Sequence, residues 1–301
     1  MELWIPITIA AAFFQNIRSA LQKVLKEALS DTGATFVRFG FGFPIALAYL
    51  FFLLNWFDAP LPEPDSTFFA YSLLGGTTQI GATFLLVRLF SLRNFAVGTA
   101  YSKTEPIQAA VFGFVLLNES LSPEAVLAIV VSTLGVFTLS IARSEFSAAH
   151  LTQAVIGRPA LIGLGSGALF GISAVAYRSA SLSLGEEGFL IPAAFTLAWV
   201  TVYQTVAMVL YLAWREPGQL TQVLKNWRPS LWVGLAGIAG SIGWFTAMTI
   251  KNAAYVRALG QIELLFTFLV SVFYFREKVN RLEIAGISAI VFGIIHLLIL
   301  K

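Results

Sequence analysis

Glu105 and Glu263 are the residues best placed to do chemistry in this chain, because each is a carboxylate set inside a long apolar run. Five bases stand in similar surroundings: Arg18, Arg38, Lys103, Arg178 and Arg257. A charged side chain at mid-depth in a bilayer costs ~2.5–3.5 kcal/mol on insertion scales, so each of these groups must meet a partner or a water-filled cavity. Glu105 lies ten residues into its run, which at ~1.5 Å per residue places it roughly 15 Å deep. Glu263 lies nine residues into its own run, at comparable depth. A carboxylate buried there can take up and release a proton near neutrality, or hold the amino group of a ligand. It can equally be half of a salt bridge that orients helices. Arg18 and Arg178 carry forked donors that suit a carboxylate or phosphate, and they can also snorkel to the interface. Arg38 and Arg257 are nearer to loops and fit snorkelling or a structural role better.

Helical spacing groups the neighbours of the two acids. Tyr101, Ser102, Glu105 and Gln108 fall at i−4, i−3, i and i+3 and share a face. Lys103 points roughly to the other side. Pro106, next to Glu105, frees a carbonyl one turn earlier and predicts a kink. Gly260 and Thr267 share the face of Glu263, while Arg257 and Gln261 pair at i, i+4 on another. Trp244, Tyr177, Tyr101 and Phe266 are candidates for an apolar wall. The expected substrate-binding or coupling set is thus Glu105, Glu263, Arg18, Arg178, Lys103, Tyr101, Ser102, Gln108, Gln261 and Trp244.

The elements that must position these residues are membrane spans. Of 301 residues, 57% are hydrophobic and only 12% charged, too few to solvate a soluble domain of this size. The apolar excess must face lipid. Ten runs near 3–25, 34–56, 68–90, 95–117, 123–141, 160–184, 189–214, 231–250, 254–275 and 282–300 are long enough to cross a bilayer. The first has no basic leader or small-residue cleavage site and reads as a span, not a removed signal. Glycines recur at 234, 237, 240 and 243, and at 163, 165, 167 and 171, where close helix packing is expected and hinges are the alternative. With no cysteine, and with His150 and His296 far apart, no metal site is expected. No phosphate loop is present and no serine has a credible histidine partner, so neither ATP-driven pumping nor catalysis is expected, and no cofactor. The bases sit at helix ends, not in a continuous patch, which argues against nucleic acid as a partner.

The chain repeats itself. At an offset of 158, Arg93-Asn94-Phe95-Ala96 falls on Lys251-Asn252-Ala253-Ala254, Glu105 on Glu263, and Asn118-Glu119 on Arg276-Glu277. With a two-residue slip, Arg18-Ser19-Ala20 falls on Arg178-Ser179-Ala180. The expected organisation is a first five-helix repeat over 1–143, a linker over 144–159 and a second repeat over 160–301. An odd number of spans per repeat inverts one half relative to the other, a plan in which the substrate site lies near the midplane between halves. Loops after the odd spans hold twelve basic residues against two on the other side, which places the odd loops in the cytoplasm and both termini outside.

Leu117-Asn118-Glu119-Ser120-Leu121-Ser122-Pro123-Glu124 and Phe275-Arg276-Glu277-Lys278-Val279-Asn280 each end a span with an acid before a new helix begins. Together with Gly135, Gly286 and Arg38-Phe39, in duplicate order over the whole chain, they resemble the EamA-type branch of the drug/metabolite transporter superfamily. The resemblance implies ten helices, a central cavity and transport of amino acids, metabolites or drugs, often as export. It also implies cytoplasmic termini and a basic loop after the second span, whereas residues 55–65 contain no base. The resulting expectation is an integral protein of a bacterial inner membrane, in contact with the lipid bilayer. It would move a small-molecule substrate of the amino acid or organic acid class by alternating access, with proton coupling as an extension. The alternatives are a multidrug exporter, or a non-transporting receptor or assembly subunit on the same scaffold. No oligomeric state is implied.

Overall fold

The computed structural model describes residues 2–90, 101–142, 157–185, 188–273, 276 and 279–299. No strand occurs among them. Helices run in the order α1 (Trp4–Leu25), α2 (Asp31–Gly40), α3 (Phe43–Phe57), α4 (Ser66–Leu89), α5 (Glu105–Leu117), α6 (Pro123–Ala142), α7 (Arg158–Ser183), α8 (Leu190–Arg215), α9 (Gln219–Lys225), α10 (Trp227–Ile250), α11 (Ala253–Gly260), α12 (Ile262–Phe273) and α13 (Arg281–Ile299). The linker expected over 144–159 lies almost wholly outside the described residues, as do Asn94, Glu277 and His150.

Among the described residues, six stretches are long and apolar enough to cross a membrane: Asp31–Phe57, α6, α7, α8, α10 and α13. Three of the other four expected spans fall short for a physical reason, while the one expected over 95–117 begins outside the described residues. α1 and α4 have the length, but the polar face of α1 around Arg18 and the threonines and Gln79 of α4 lower their hydropathy. The expected ninth span is divided at Gln261 into α11 and α12. α9 is a short helix where the sequence suggests only a connection.

Caps mark several boundaries. Ser30 and Asp65 accept from the amides of Gly33 and Phe68 at 3.0 and 2.7 Å, opening α2 and α4. The Phe68 amide holds the Asp65 carboxyl below the usual aspartate range. Asn280 and Glu283 form a reciprocal capping box at the start of α13. At the far ends of α3 and α5, Asp58 and Asn118 take left-handed conformations that stop the helix.

The halves interleave. The most extensive contacts join α4 to α7, α6 to α13 and α1 to α10, and each pair takes one helix from before residue 143 and one from after 157. Exchanging α1 with α7 and α4 with α10 converts one pair into another and leaves α6–α13 as its own image. Glycine permits these approaches: a Cβ on Gly243 would lie 2.8 Å from the Ala11 Cβ, and one on Gly234 would collide with the Phe41 Cβ. The glycines of α10 therefore face α1 and the α2–α3 joint, as close packing requires. Large apolar side chains such as Phe52, Trp56, Phe114, Val115, Leu210 and Phe292 point outward. Arg215 and Arg228 lie over the rings of Trp214 and Trp227 at 4.0 and 5.5 Å, an aromatic and basic rim suited to a membrane interface.

Candidate functional site

The site is built where two helices break. Residues 101–102 are helical, 103–104 form a turn, and α5 starts again at Glu105. Pro106 explains the interruption, because it has no amide hydrogen to donate back to the Ser102 carbonyl. α7 approaches that carbonyl through Gly167, where a Cβ would sit 2.9 Å from the Ser102 oxygen. The second break, at Gln261, separates α11 from α12.

These breaks overturn two expectations of helical geometry. Lys103, expected on the face away from Glu105, leaves the helical path and reaches Glu263 as an ion pair. Arg257, expected on a different face from Glu263 and near the interface, is buried and lies 2.9 Å from Glu105. The Arg257 Nε–H is not aimed at the oxygen, so that contact is a close charge pair without an aligned hydrogen bond. Its guanidinium also covers the Trp244 ring at 4.6 Å. Trp244 in turn abuts Gly260, where a Cβ would lie 2.5 Å from the ring.

Each ion pair joins the two halves: Glu105 to Arg257, and Lys103 to Glu263. The offset of 158 relates the two glutamates but not the cations. The counterpart of Lys103 is Gln261 and that of Arg257 is Thr99. Around the pairs, Gln15 Nε2 donates to Glu263 at 3.0 Å. Asn16 donates to the Thr267 hydroxyl at 3.0 Å. Gln261 donates to the Lys103 carbonyl at 3.2 Å and accepts from Ser132. Two small adjoining cavities lie here. One is lined by Gln15, Lys103, Glu105, Trp244, Arg257 and Glu263, the other by Arg18, Ser102 and Phe170 with several of the same residues. Each has room for about one water molecule.

Of the expected residues, Glu105, Glu263, Lys103, Gln261, Trp244, Arg18 and Ser102 meet at these cavities. Tyr101 packs edge-on against Phe137 at 5.0 Å, and Gln108 donates to Thr104 at 3.1 Å; neither lines them. Arg178 is elsewhere. Its Nε donates to Glu119 at 2.7 Å and Nη1 to the Met248 carbonyl at 2.7 Å, while Asn252 donates to the other Glu119 oxygen at 2.7 Å. This knot ties the end of α5 to α7 and to the α10–α11 joint. Arg178→Met is accordingly expected to lower thermal stability while leaving substrate KM within about twofold, since no residue lining the two charged cavities loses a partner. A tenfold rise in KM would place Arg178 in the site.

Sequence reasoning misses Gln15 and undervalues Arg257. Gln15 precedes Arg18 by three residues and so shares its face, a signal that was present. For Arg257 none was, because its partner depends on the packing of α11 against α5. A separate buried cluster joins Tyr177, Gln79 and Gln204, with Tyr177 donating to Gln79 at 3.1 Å and stacking on Phe245 at 4.4 Å.

Comparison with known proteins bears on the family and the fold. The EamA-like transporter family matches twice, over residues 2–141 and again over 158–299. One solved structure, described only as the crystal structure of a protein, is similar over 97% of this chain and 99% of its own, with a TM-score of 0.67 and 17% identity. At that identity the likeness shows a shared fold. No curated protein matches the chain.

Proposed function

The chain belongs to the EamA-like transporter family, and on that premise we propose that it is a secondary transporter moving a small polar metabolite of the amino acid or organic acid class by alternating access. Ten spans then form two inverted five-helix repeats, 1–143 and 160–301 with a linker between. α2 with α3, and α11 with α12, each make one broken span. The unequal distribution of basic residues supports a cytoplasmic side at the loops after the odd spans and both ends of the chain on the other side of a bacterial inner membrane.

The observation that carries this reading is the pair of buried ion pairs, each with one member from either half. Broken helices that gather charge between repeats are the usual form of a transporter's midplane site. A substrate with its own carboxylate or amine can exchange for one member of a pair, which loosens the contact between halves and couples binding to movement. In this state the cavities are too small for a metabolite, as expected when the site is closed on itself. A protonatable glutamate released from its cation gives a route to proton coupling. The cations Lys103, Arg257 and Arg18 count against the cationic drugs of a multidrug exporter.

Removing one pair as a unit tests the role of the site with the charge balance intact. Glu105→Gln/Arg257→Gln is expected to fold and to lose at least about 100-fold in flux, as when charge-assisted contacts of about 1.5–3 kcal/mol are lost together. Proteoliposomes loaded with amino acids and organic acids, with and without a pH gradient, give the readout. Wild-type flux in the double variant would remove this pair from the mechanism.

A further inference from the structure

The charges at the site do not balance. Arg18, Arg38 and Arg257 are buried and Lys103 is largely so, yet among the described residues only Glu105 and Glu263 are acids buried at this site. Both carboxylates are already engaged, by Arg257 and Lys103. Arg18 and Arg38 have no acidic partner among the described residues. Arg18, 2% exposed, donates from Nη2 to the Ser19 hydroxyl at 3.4 Å, and its Nε has no partner. Arg38, 5% exposed, donates from Nη1 to the Thr83 hydroxyl at 3.0 Å. Each guanidinium carries five donors, and among the described residues each meets a single hydrogen-bond acceptor.

The two arginines are neighbours. A Cβ on Gly237 of α10 would stand 3.3 Å from the Arg38 Cγ and 3.5 Å from the Arg18 Cδ. Their stems thus run together over one glycine. Arg18 lines the cavity that also holds Ser102, Lys103, Glu105 and Arg257. Two like charges close together, largely buried and neither paired with an acid among the described residues, are unfavourable unless something brings negative charge to them. A forked guanidinium is best satisfied by a carboxylate or a phosphate, which accepts two of its hydrogen bonds at once.

We propose that Arg18 and Arg38 form an oxyanion subsite and that the transported molecule is a small organic dianion, a dicarboxylate or a phosphomonoester. This rests on the transport function proposed above and narrows its substrate class. Two excess positive charges are neutralised by two negative ones. A zwitterionic amino acid brings no net charge and leaves the excess in place, a monocarboxylate removes half of it, and a cation adds to it. One anionic group of the dianion sits on Arg18 and Arg38. The other displaces a glutamate from Lys103 or Arg257.

The purified full-length protein in detergent provides the test, with ligand-dependent thermal shift and calorimetry against succinate, glycerol 3-phosphate, alanine and tetraethylammonium. Succinate or glycerol 3-phosphate is expected to stabilise the wild type, and the tighter of the two identifies the acid group; alanine and tetraethylammonium are expected to have no effect. Arg18→Gln and Arg38→Gln are each expected to weaken dianion binding about 10–100-fold, as loss of a charge-assisted contact implies. Their ligand-free melting temperatures are expected to equal or exceed the wild type's, because an uncompensated buried charge has been removed. Arg18→Lys keeps the charge but not the fork and should bind with intermediate affinity. Preferential binding of alanine, unchanged dianion affinity in the variants, or unfolding of ligand-free Arg18→Gln together with wild-type affinity in Arg18→Lys would overturn the subsite. Counterflow in proteoliposomes separates the two claims. Dianion binding without flux would uphold the subsite and overturn transport, and alanine flux without dianion binding would do the reverse.

Discussion

Glu105→Gln alone is expected to destabilise the folded protein by about 3–5 kcal/mol, the usual cost of removing one member of a buried ion pair and leaving the other uncompensated. The direction follows from the surroundings. The Glu105 carboxylate lies 2.9 Å from Arg257, with side-chain exposures of 11% and 6%. Removing its charge leaves Arg257 beside Arg18 and Lys103 with a single carboxylate, Glu263, among them. Expression and thermal unfolding of the single variant, compared with Glu105→Gln/Arg257→Gln, measure this. The double variant is expected to recover most of the loss. Arg18→Gln should also rescue Glu105→Gln in part, although no contact between the two side chains is involved, because the excess positive charge is what destabilises. A fully stable Glu105→Gln protein would mean that Arg257 is solvated or neutralised by another route.

Gly286→Val has an expected cost of about 3 kcal/mol, the upper part of the range for forcing bulk into a filled interface. A Cβ at Gly286 would meet the Leu139 amide nitrogen at 2.7 Å and the Gly135 carbonyl oxygen at 2.9 Å, and one at Gly135 would meet the Gly286 carbonyl oxygen at 2.7 Å. These neighbours are backbone atoms, so no rotamer change relieves the clash and α6 must move away from α13. Loss of monodisperse protein on size exclusion is the readout. Gly165→Ala serves as a control, because its Cβ would meet only the Leu85 Cδ1 at 3.5 Å, an ordinary contact. Equal stability of Gly286→Val and Gly165→Ala would show that the α6–α13 crossing relaxes freely.

Glycine illustrates the limit of pattern reading. The runs at 163–171 and 234–243 stand out in the sequence by density, and those of α10 do meet α1 closely. Gly135 and Gly286 are conspicuous only as isolated residues in the middle of α6 and α13, yet a Cβ on either would meet backbone of the other helix at 2.7 Å. Density reports that small residues are present. It does not report which helix comes to meet them.

The amino-acid sequence by itself determined the class of the molecule. Apolar runs of bilayer length require helices in lipid whatever their packing, and the duplicated motifs define two related halves and pair Glu105 with Glu263. Pro106 marked the break beside Glu105, since a missing amide hydrogen is a local property. The tertiary structure alone decided which charges meet. Arg18 and Arg178 are equivalent in the repeat, but Arg178 is consumed by Glu119 and the Met248 carbonyl while Arg18 lines the cavity without an acidic partner. Lys103 joins the site because its helix stops being helical at Lys103 and Thr104, which takes the side chain off the face that regular periodicity assigns to it, and Arg257 joins it because α11 packs against α5. Ion pairing depends on distances between residues about 150 positions apart, and those distances are set by the packing of whole helices.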